Sequence, residues 1–359
     1  MDSPRPHALL LGIALTVATA ALAGCGAGEA VDGADAGGCP DGGSGDACGC
    51  VRADGAWSAE DSLGADGAFM NAWGPSPTEV YIVGGQPDAG VMRRFDGERW
   101  SPVEIPAGPM LYWVHGVAGE LFAVGAGGRA LHRDAAGAWR ATQTGTEVAL
   151  WGVFAAAPDE AWAVGGDPFA RPGEGGGLVA PTLLRFDGDT WSPVELPVLD
   201  RNCPALFKVW GTGPDDLHAV GAAGVALHFD GTQWRQVQTG TSDDFVSLWG
   251  RAADDVVAVG GRANGMMARW DGTAWTSQVL AQTPGLNGVW MASDGTAWAS
   301  GLRATIVRIA PGSFSAERQS FASPLTLHGM FGFDCGPLLG VGGSLMAPPP
   351  YTGLVVGQP

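Results

Sequence analysis

The sequence predicts an all-β fold, a seven-bladed β-propeller of four-stranded blades closed by an N-terminal strand that completes the last blade. Three observations carry this. A pattern of the form acid–apolar–x–Ala–Val–Gly recurs seven times, ending at Gly84, Gly125, Gly165, Gly221, Gly260, Gly301 and Gly342, at spacings of 41, 40, 56, 39, 41 and 41 residues. An Asp-Gly turn followed by Trp keeps step with it, as in RFDGERW to Trp100 and RWDGTAW to Trp275. The chain ends at residue 359 before a seventh Trp strand, and the missing piece stands at the other end, in Val51 to Trp57.

Taken from the N-terminus, residues 1–24 read as an export signal: Arg5 precedes a single apolar stretch, Ala8 to Ala23, too short and wrongly flanked for a structural span. The stretch runs into Leu22-Ala23-Gly24-Cys25, which resembles the lipobox of bacterial lipoproteins. That resemblance implies acylation of Cys25 and, with Gly at residue 26, export to the outer membrane of a Gram-negative cell, lipid-anchored on its periplasmic face or at the surface. Residues 25–49 are almost all Gly, Ala and Asp and form a flexible linker, without the alternating oxygen ligands of a calcium loop. Residues 50–359 are the propeller.

Each repeat reads as four short strands. The first leads into an aromatic-Gly or similar pair: Trp73-Gly74, His115-Gly116, Trp151-Gly152, Trp210-Gly211, Trp249-Gly250, Asn287-Gly288 and His328-Gly329. The second is the VYIVG-type segment, the third ends in Arg-Phe, and the fourth carries the Trp, with Phe314 in that place in the sixth unit. Asp-Gly between the last two predicts a two-residue hairpin turn. A double glycine followed by Arg-Phe-Asp and Trp, clearest from Gly84-Gly85 to Trp100 and from Gly260-Gly261 to Trp275, resembles kelch-like repeats. The resemblance covers about 300 residues and implies a scaffold used mostly for binding.

The repeated Trp residues at 57, 100, 139, 191, 234 and 275 are expected to seal the gaps between blades. No His-x-x-x-His or Cys-x-x-Cys pair occurs, and repeat-equivalent histidines fall in different blades, so neither a metal nor another cofactor is expected. Because an exported chain keeps disulfides, Cys335, in the first loop of blade 7, is expected to bond Cys50 or Cys48 and lock the closure.

A net charge of −18, with Lys208 the only lysine, excludes nucleic acid as a partner, since phosphate binding needs a basic face. The Ser293–Trp298 segment is similar to a sialidase-type Asp-box but is wrongly spaced, and neither Gly-x-Ser-x-Gly nor a phosphate loop appears. The function expected is therefore that of a monomeric binding or scaffold module for a protein or glycan at the cell envelope, with a glycan-active hydrolase or lyase as the alternative. Sequence variation concentrates in an insertion in blade 3, in the segment after Trp191 and in the Met346–Tyr351 loop. Loops between second and third strands emerge on the same face as the connections between blades. That topology nominates Asp167, Phe169, Arg171, Glu174, Asp200, Arg201, Arg262, Arg303 and Tyr351 as a ligand-binding rim.

Overall fold

The computed structural model describes residues 55–171, 179–334 and 336–358. They form seven four-stranded antiparallel sheets. From the axis outward, blade 1 comprises Ala68–Ser76, Glu79–Gln86, Ala89–Phe95 and Trp100–Pro102, and blade 2 comprises Leu111–Val117, Glu120–Gly125, Ala130–Arg133 and Trp139–Thr142. Blade 3 is Leu150–Ala157, Glu160–Gly165, Thr182–Phe186 and Trp191–Pro193; blade 4 is Leu206–Gly213, Asp216–Gly221, Ala226–Phe229 and Trp234–Val237. Blade 5 is Phe245–Ala252, Asp255–Gly260, Asn264–Trp270 and Trp275–Pro284, and blade 6 is Leu286–Met291, Ala297–Gly301, Ile306–Ile309 and Ala316–Arg318.

Blade 7 takes Thr326–Gly332, Leu338–Gly343 and Gly353–Gln358 from the C-terminus and Ser58–Ala59 from the N-terminus. Ser58 pairs with Gly357 and Ala59 with Val356, and the Glu60 amide donates to the Val355 carbonyl at 2.8 Å. The Gln358 side-chain amide donates to the Gly55 carbonyl, and the Trp57 ring meets Trp298 of blade 6 at 6.2 Å. The two ends of the chain thus share one sheet, and the innermost strand of blade 7 packs on that of blade 1 to complete the ring.

Sterics explain the repeat glycines. A Cβ at Gly84, Gly125, Gly165, Gly221, Gly260, Gly301 or Gly342 would lie 1.9–2.3 Å from the carbonyl oxygen of the residue just before the buried Phe or Leu of the innermost strand. Second strands are buried on both faces, because neighbouring blades cover them from either side. Fourth-strand Trp rings fill the space between blades as expected: Trp191 on Phe122, Trp234 on Trp162 and Trp275 on His218, each in the preceding blade.

Two local expectations need correction. The Asp-Gly hairpins are four-residue loops: Phe95 pairs with Trp100, and the Asp96 carboxylate accepts the amides of Glu98 and Arg99 at 3.0 and 2.9 Å while Gly97 takes φ 97°. The Asp side chain caps the loop, and Asp187, Asp230 and Asp271 repeat the arrangement. The second correction concerns the aromatic-Gly pairs. Trp73, His115, Trp210 and Trp249 align with Phe154, Trp290 and Phe331, so Trp151-Gly152, Asn287-Gly288 and His328-Gly329 lie three residues early. Cys25, Cys48, Cys50 and Cys335, with the expected disulfide, lie outside the described residues, as does Glu174. Cys203 is a buried free thiol, its pKa pushed up to about 12 by burial.

Candidate functional site

Every innermost strand carries a β-bulge near its start. The ladder steps from Leu111↔Gly125 to Trp113↔Val124, leaving Tyr112 unpaired, and the same step isolates Met70, Trp151, Phe207, Val246, Asn287 and His328. A bulge re-aims one side chain out of the pleat. Here it turns seven side chains, one per blade, toward the propeller axis, where together with Trp113, Lys208 and Leu345 they line a cavity of about 210 Å³. The cavity opens on the face that carries the loops between second and third strands, and Leu345 belongs to one of those loops.

Three residues along each innermost strand lies a second ring, the aromatic belt Trp73, His115, Phe154, Trp210, Trp249, Trp290 and Phe331. Its members meet edge to face or tilted, at 5.4 Å for Trp73–His115, 4.8 Å for His115–Phe154 and 6.1 Å for Trp249–Phe331. Glycine follows the belt residue where a neighbouring ring must lie flat: a Cβ at Gly250 would come within 2.4 Å of the Trp210 ring, and one at Gly116 within 2.7 Å of Trp73. This packing floors the cavity. His115 Nδ1 accepts the Ala155 amide at 3.1 Å, and burial pushes its pKa down to about 3.

The wall is aromatic on one side. Tyr112 stacks on Trp151 at 4.5 Å with 5° between planes, Phe207 meets Trp151 edge-on at 6.0 Å, and the Trp151 indole donates to the Gly166 carbonyl at the root of the blade 3 insertion. Four polar groups interrupt the apolar surface. Burial, and then the nearby Tyr351 phenol, raises the pKa of Tyr112. The Asn287 amide donates to the Leu327 carbonyl at 3.1 Å, and His328 Nε2 is buried without a hydrogen-bond partner. The fourth is Lys208, 4% exposed, with Nζ over the face of Trp113. Desolvation pulls its pKa well below the ordinary 10.5.

A lysine so buried costs stability, because among the described residues no carboxylate pairs with it to offset the loss of hydration. Replacing it, Lys208→Met, should raise stability at pH 7 by about 1–3 kcal/mol. In the wild type the unfolded chain binds the proton that the folded chain gives up, so stability rises with pH until the ordinary lysine value is passed. Urea unfolding of both proteins at pH 7 and 9.5 checks this: the gap between them should shrink at the higher pH.

All eight described residues of the expected rim lie on the face where the cavity opens. Their roles differ. Arg201 is held by the Asp200 carboxylate at 2.9 Å and donates to the carbonyls of Ala223 and Thr241, while Asp200 also accepts from Gln236 and Gln238, so this pair braces blade 4. Arg262 pairs with Asp244 at 2.7 Å. The Tyr351 backbone exchanges two hydrogen bonds with the Gln86 amide, tying blade 7 to blade 1 at the cavity mouth. Asp167 caps its own loop through the Phe169 amide, which leaves Phe169, Arg171 and Arg303 exposed.

The bulge ring escaped the sequence reading, although its signal is present. Its members stand fourteen residues before each repeat glycine, thirteen in blade 2, and vary in identity inside an otherwise constant repeat. Lys208 was marked only by being the sole lysine. The structure also places His218 and His228 opposite one another on adjacent strands of blade 4, beside Asp216. Although repeat-equivalent histidines lie in different blades, these two occupy different repeat positions of the same blade.

No protein-family model matches the chain, and no curated protein matches it. Solved structures do. YCF48 bound to a D1 peptide is 13% identical, with 84% of this chain and 94% of that one covered and a TM-score of 0.60. A catalytically inactive virginiamycin B lyase from Staphylococcus aureus with quinupristin is 12% identical over 84% and 99%, with a TM-score of 0.65. The WD40 propeller domain of Doa1 is 11% identical over 81% and 94%, with a TM-score of 0.60. At these identities the likeness is one of fold.

Proposed function

We propose that this chain is a lipid-anchored, extracytoplasmic recognition module, a kelch-like propeller that captures a protein partner at the mouth of its axial cavity. One observation carries the reading. Of the four large apolar side chains that stand exposed among the described residues, three sit on the cavity face: Phe169 at 87%, Val198 at 98% and Met346 at 93% exposed. They rise from the blade 3 insertion, the connection from blade 3 to blade 4 and the blade 7 loop, around an aromatic-lined pocket large enough for one side chain. Exposed apolar groups gathered about a pocket on a rigid scaffold are what a protein interface requires, with the pocket taking the anchor residue. YCF48, a propeller solved with a bound peptide, offers a parallel in fold for this mode of use. The lipobox-like Leu22–Cys25 supports tethering, which would confine partner search to the envelope.

The test is capture from solubilised envelopes of the native host on the immobilised chain lacking residues 1–25. A discrete partner should be retained by the wild type and lost about tenfold or more with Phe207→Ala or with Phe169→Asp combined with Met346→Asp. Equal capture by all three proteins would exclude this face. Retention of glycan without protein would favour a carbohydrate ligand. Tethering is checked in parallel, since Cys25→Ser should move the full-length protein from the membrane to the soluble fraction.

A further inference from the structure

A device recurs on the opposite face of the ring, where second strands begin. The acid at the first position of the second strand pairs with a base on the third strand: Glu79 with Arg94 at 3.4 Å, Glu120 with His132 at 2.6 Å and Glu160 with Arg185 at 3.1 Å. Between them, two positions after the acid, stands an aromatic residue that packs against the next blade. Where that residue has a donor, the donor is satisfied by the acid, as with Tyr81 on Glu79 at 2.7 Å and Trp162 on Glu160 at 3.0 Å. In blade 2 the residue is Phe122, which has nothing to satisfy and stacks on His132 at 4.3 Å.

Blade 4 departs from this pattern. Asp216 pairs with His228 at 2.8 Å, but the aromatic place is taken by His218, and neither of its ring nitrogens has a hydrogen-bond partner. His218 is fully buried, stacked on His228 at 4.4 Å and enclosed by Trp270 and Trp275 of blade 5. Its Nε2 lies 3.9 Å from the Asp216 carboxylate, too far for a hydrogen bond. A buried imidazole with both nitrogens orphaned is expensive, and Phe122 shows that the fold accepts a hydrocarbon at this place.

We propose that Asp216, His218 and His228 form a binding site for a divalent transition-metal ion of the zinc type. One ligand atom from each residue lies within 4.8 Å of the others. Ligands of a tetrahedral zinc ion at about 2.0–2.1 Å stand roughly 3.3 Å apart; the Asp216 oxygen lies 2.8 Å from His228 Nε2 and 3.9 Å from His218 Nε2, and all three ligand atoms lie within 4.8 Å, so turning the two stacked rings toward one another closes the site. His218 and His228 face each other across antiparallel strands, the spacing that lets two imidazoles reach one ion. Thr212 donates to the other Asp216 oxygen at 2.7 Å and fixes the carboxylate. Arg235, opposite His228 on the outermost strand, is turned away to Asp230 at 2.8 Å and does not compete for the site. Asp216 and His228 are about one quarter exposed, which leaves an entry path and room for water as the fourth ligand.

The test uses tag-free chain lacking residues 1–25, stripped with chelator, against His218→Phe, a change that copies blade 2. Wild type should bind one Zn²⁺ more per chain than the variant by calorimetry, gain thermal stability on adding Zn²⁺, and give visible absorption bands with Co²⁺. His218→Phe should keep its circular dichroism and lose that site, weakening binding by ~100-fold or more, and Asp216→Asn should weaken it too. Equal Zn²⁺ stoichiometry in wild type and His218→Phe, or no binding by either, would overturn the proposal. Should His218→Phe fail to fold, His228→Gln at the quarter-exposed ligand carries the same comparison.

Discussion

Gly260→Ala is expected to lower the free energy of unfolding by more than about 3 kcal/mol, at the upper end of what overpacking costs. Gly260 does not need glycine for its backbone angles, since it is not among the residues at positive φ. Its need is for space. A Cβ there would stand 1.9 Å from the Asp244 carbonyl oxygen and 2.8 Å from the Phe245 Cα. That carbonyl accepts the Gly261 amide at 2.9 Å, and Phe245 is fully buried, so neither atom can retreat without breaking the strand pair. Gly240 supplies the contrast: it takes φ 74° with nothing within 4 Å of an added Cβ, so Gly240→Ala should cost only about 1–2 kcal/mol, from backbone strain alone. Urea denaturation of both variants decides the matter. A Gly260→Ala protein no less stable than Gly240→Ala would mean that the innermost and second strands can part at this point.

The same contact explains what could be read from the sequence. A steric requirement repeated in seven blades writes glycine seven times at nearly constant spacing, so blade number, strand order and ring closure were all legible. The axial cavity was not, because a bulge imposes no residue type. It only redirects whichever side chain occupies it, here Met, Tyr, Trp, Phe, Val, Asn and His. Trp151-Gly152 shows how this misleads. It mimics the aromatic-Gly pair of the belt, yet Trp151 is a bulge residue at the cavity wall, and the belt place in blade 3 is held by Phe154-Ala155. Within the expected rim, topology placed every described residue on the face where the cavity opens, whereas the bracing of Asp200 and Arg201 depended on Gln236 and Gln238, partners 36 to 38 residues away along the chain.

Between pH 7.5 and 5 the protein should lose at least about 4 kcal/mol of stability, about 2 kcal/mol from each of two largely buried histidines. His115 in the aromatic belt and His328 in the bulge ring are both neutral in the fold, burial holding their pKa values at about 3 and about 4 against an ordinary 6.5. The sign follows from proton counting. Below pH 6.5 the unfolded chain takes up protons that the folded chain refuses, so each step down in pH favours unfolding until the folded values are reached. The loop carboxylates do not blur the window, because amides donated to Asp96, Asp187 and Asp271 keep them below their ordinary 3.8. His218, also pushed to about 3 by burial, adds a loss of the same sign in metal-free protein. The variants His115→Phe and His328→Val copy residues that other blades use at the same places, Phe154 and Val246. Each should remove about 2 kcal/mol of the pH dependence whatever it does to stability at pH 7.5. Urea midpoints measured at pH 7.5, 6 and 5 test this, and a wild-type slope unchanged in the double variant would show that both histidines take up protons inside the fold, through water reaching the belt from the cavity.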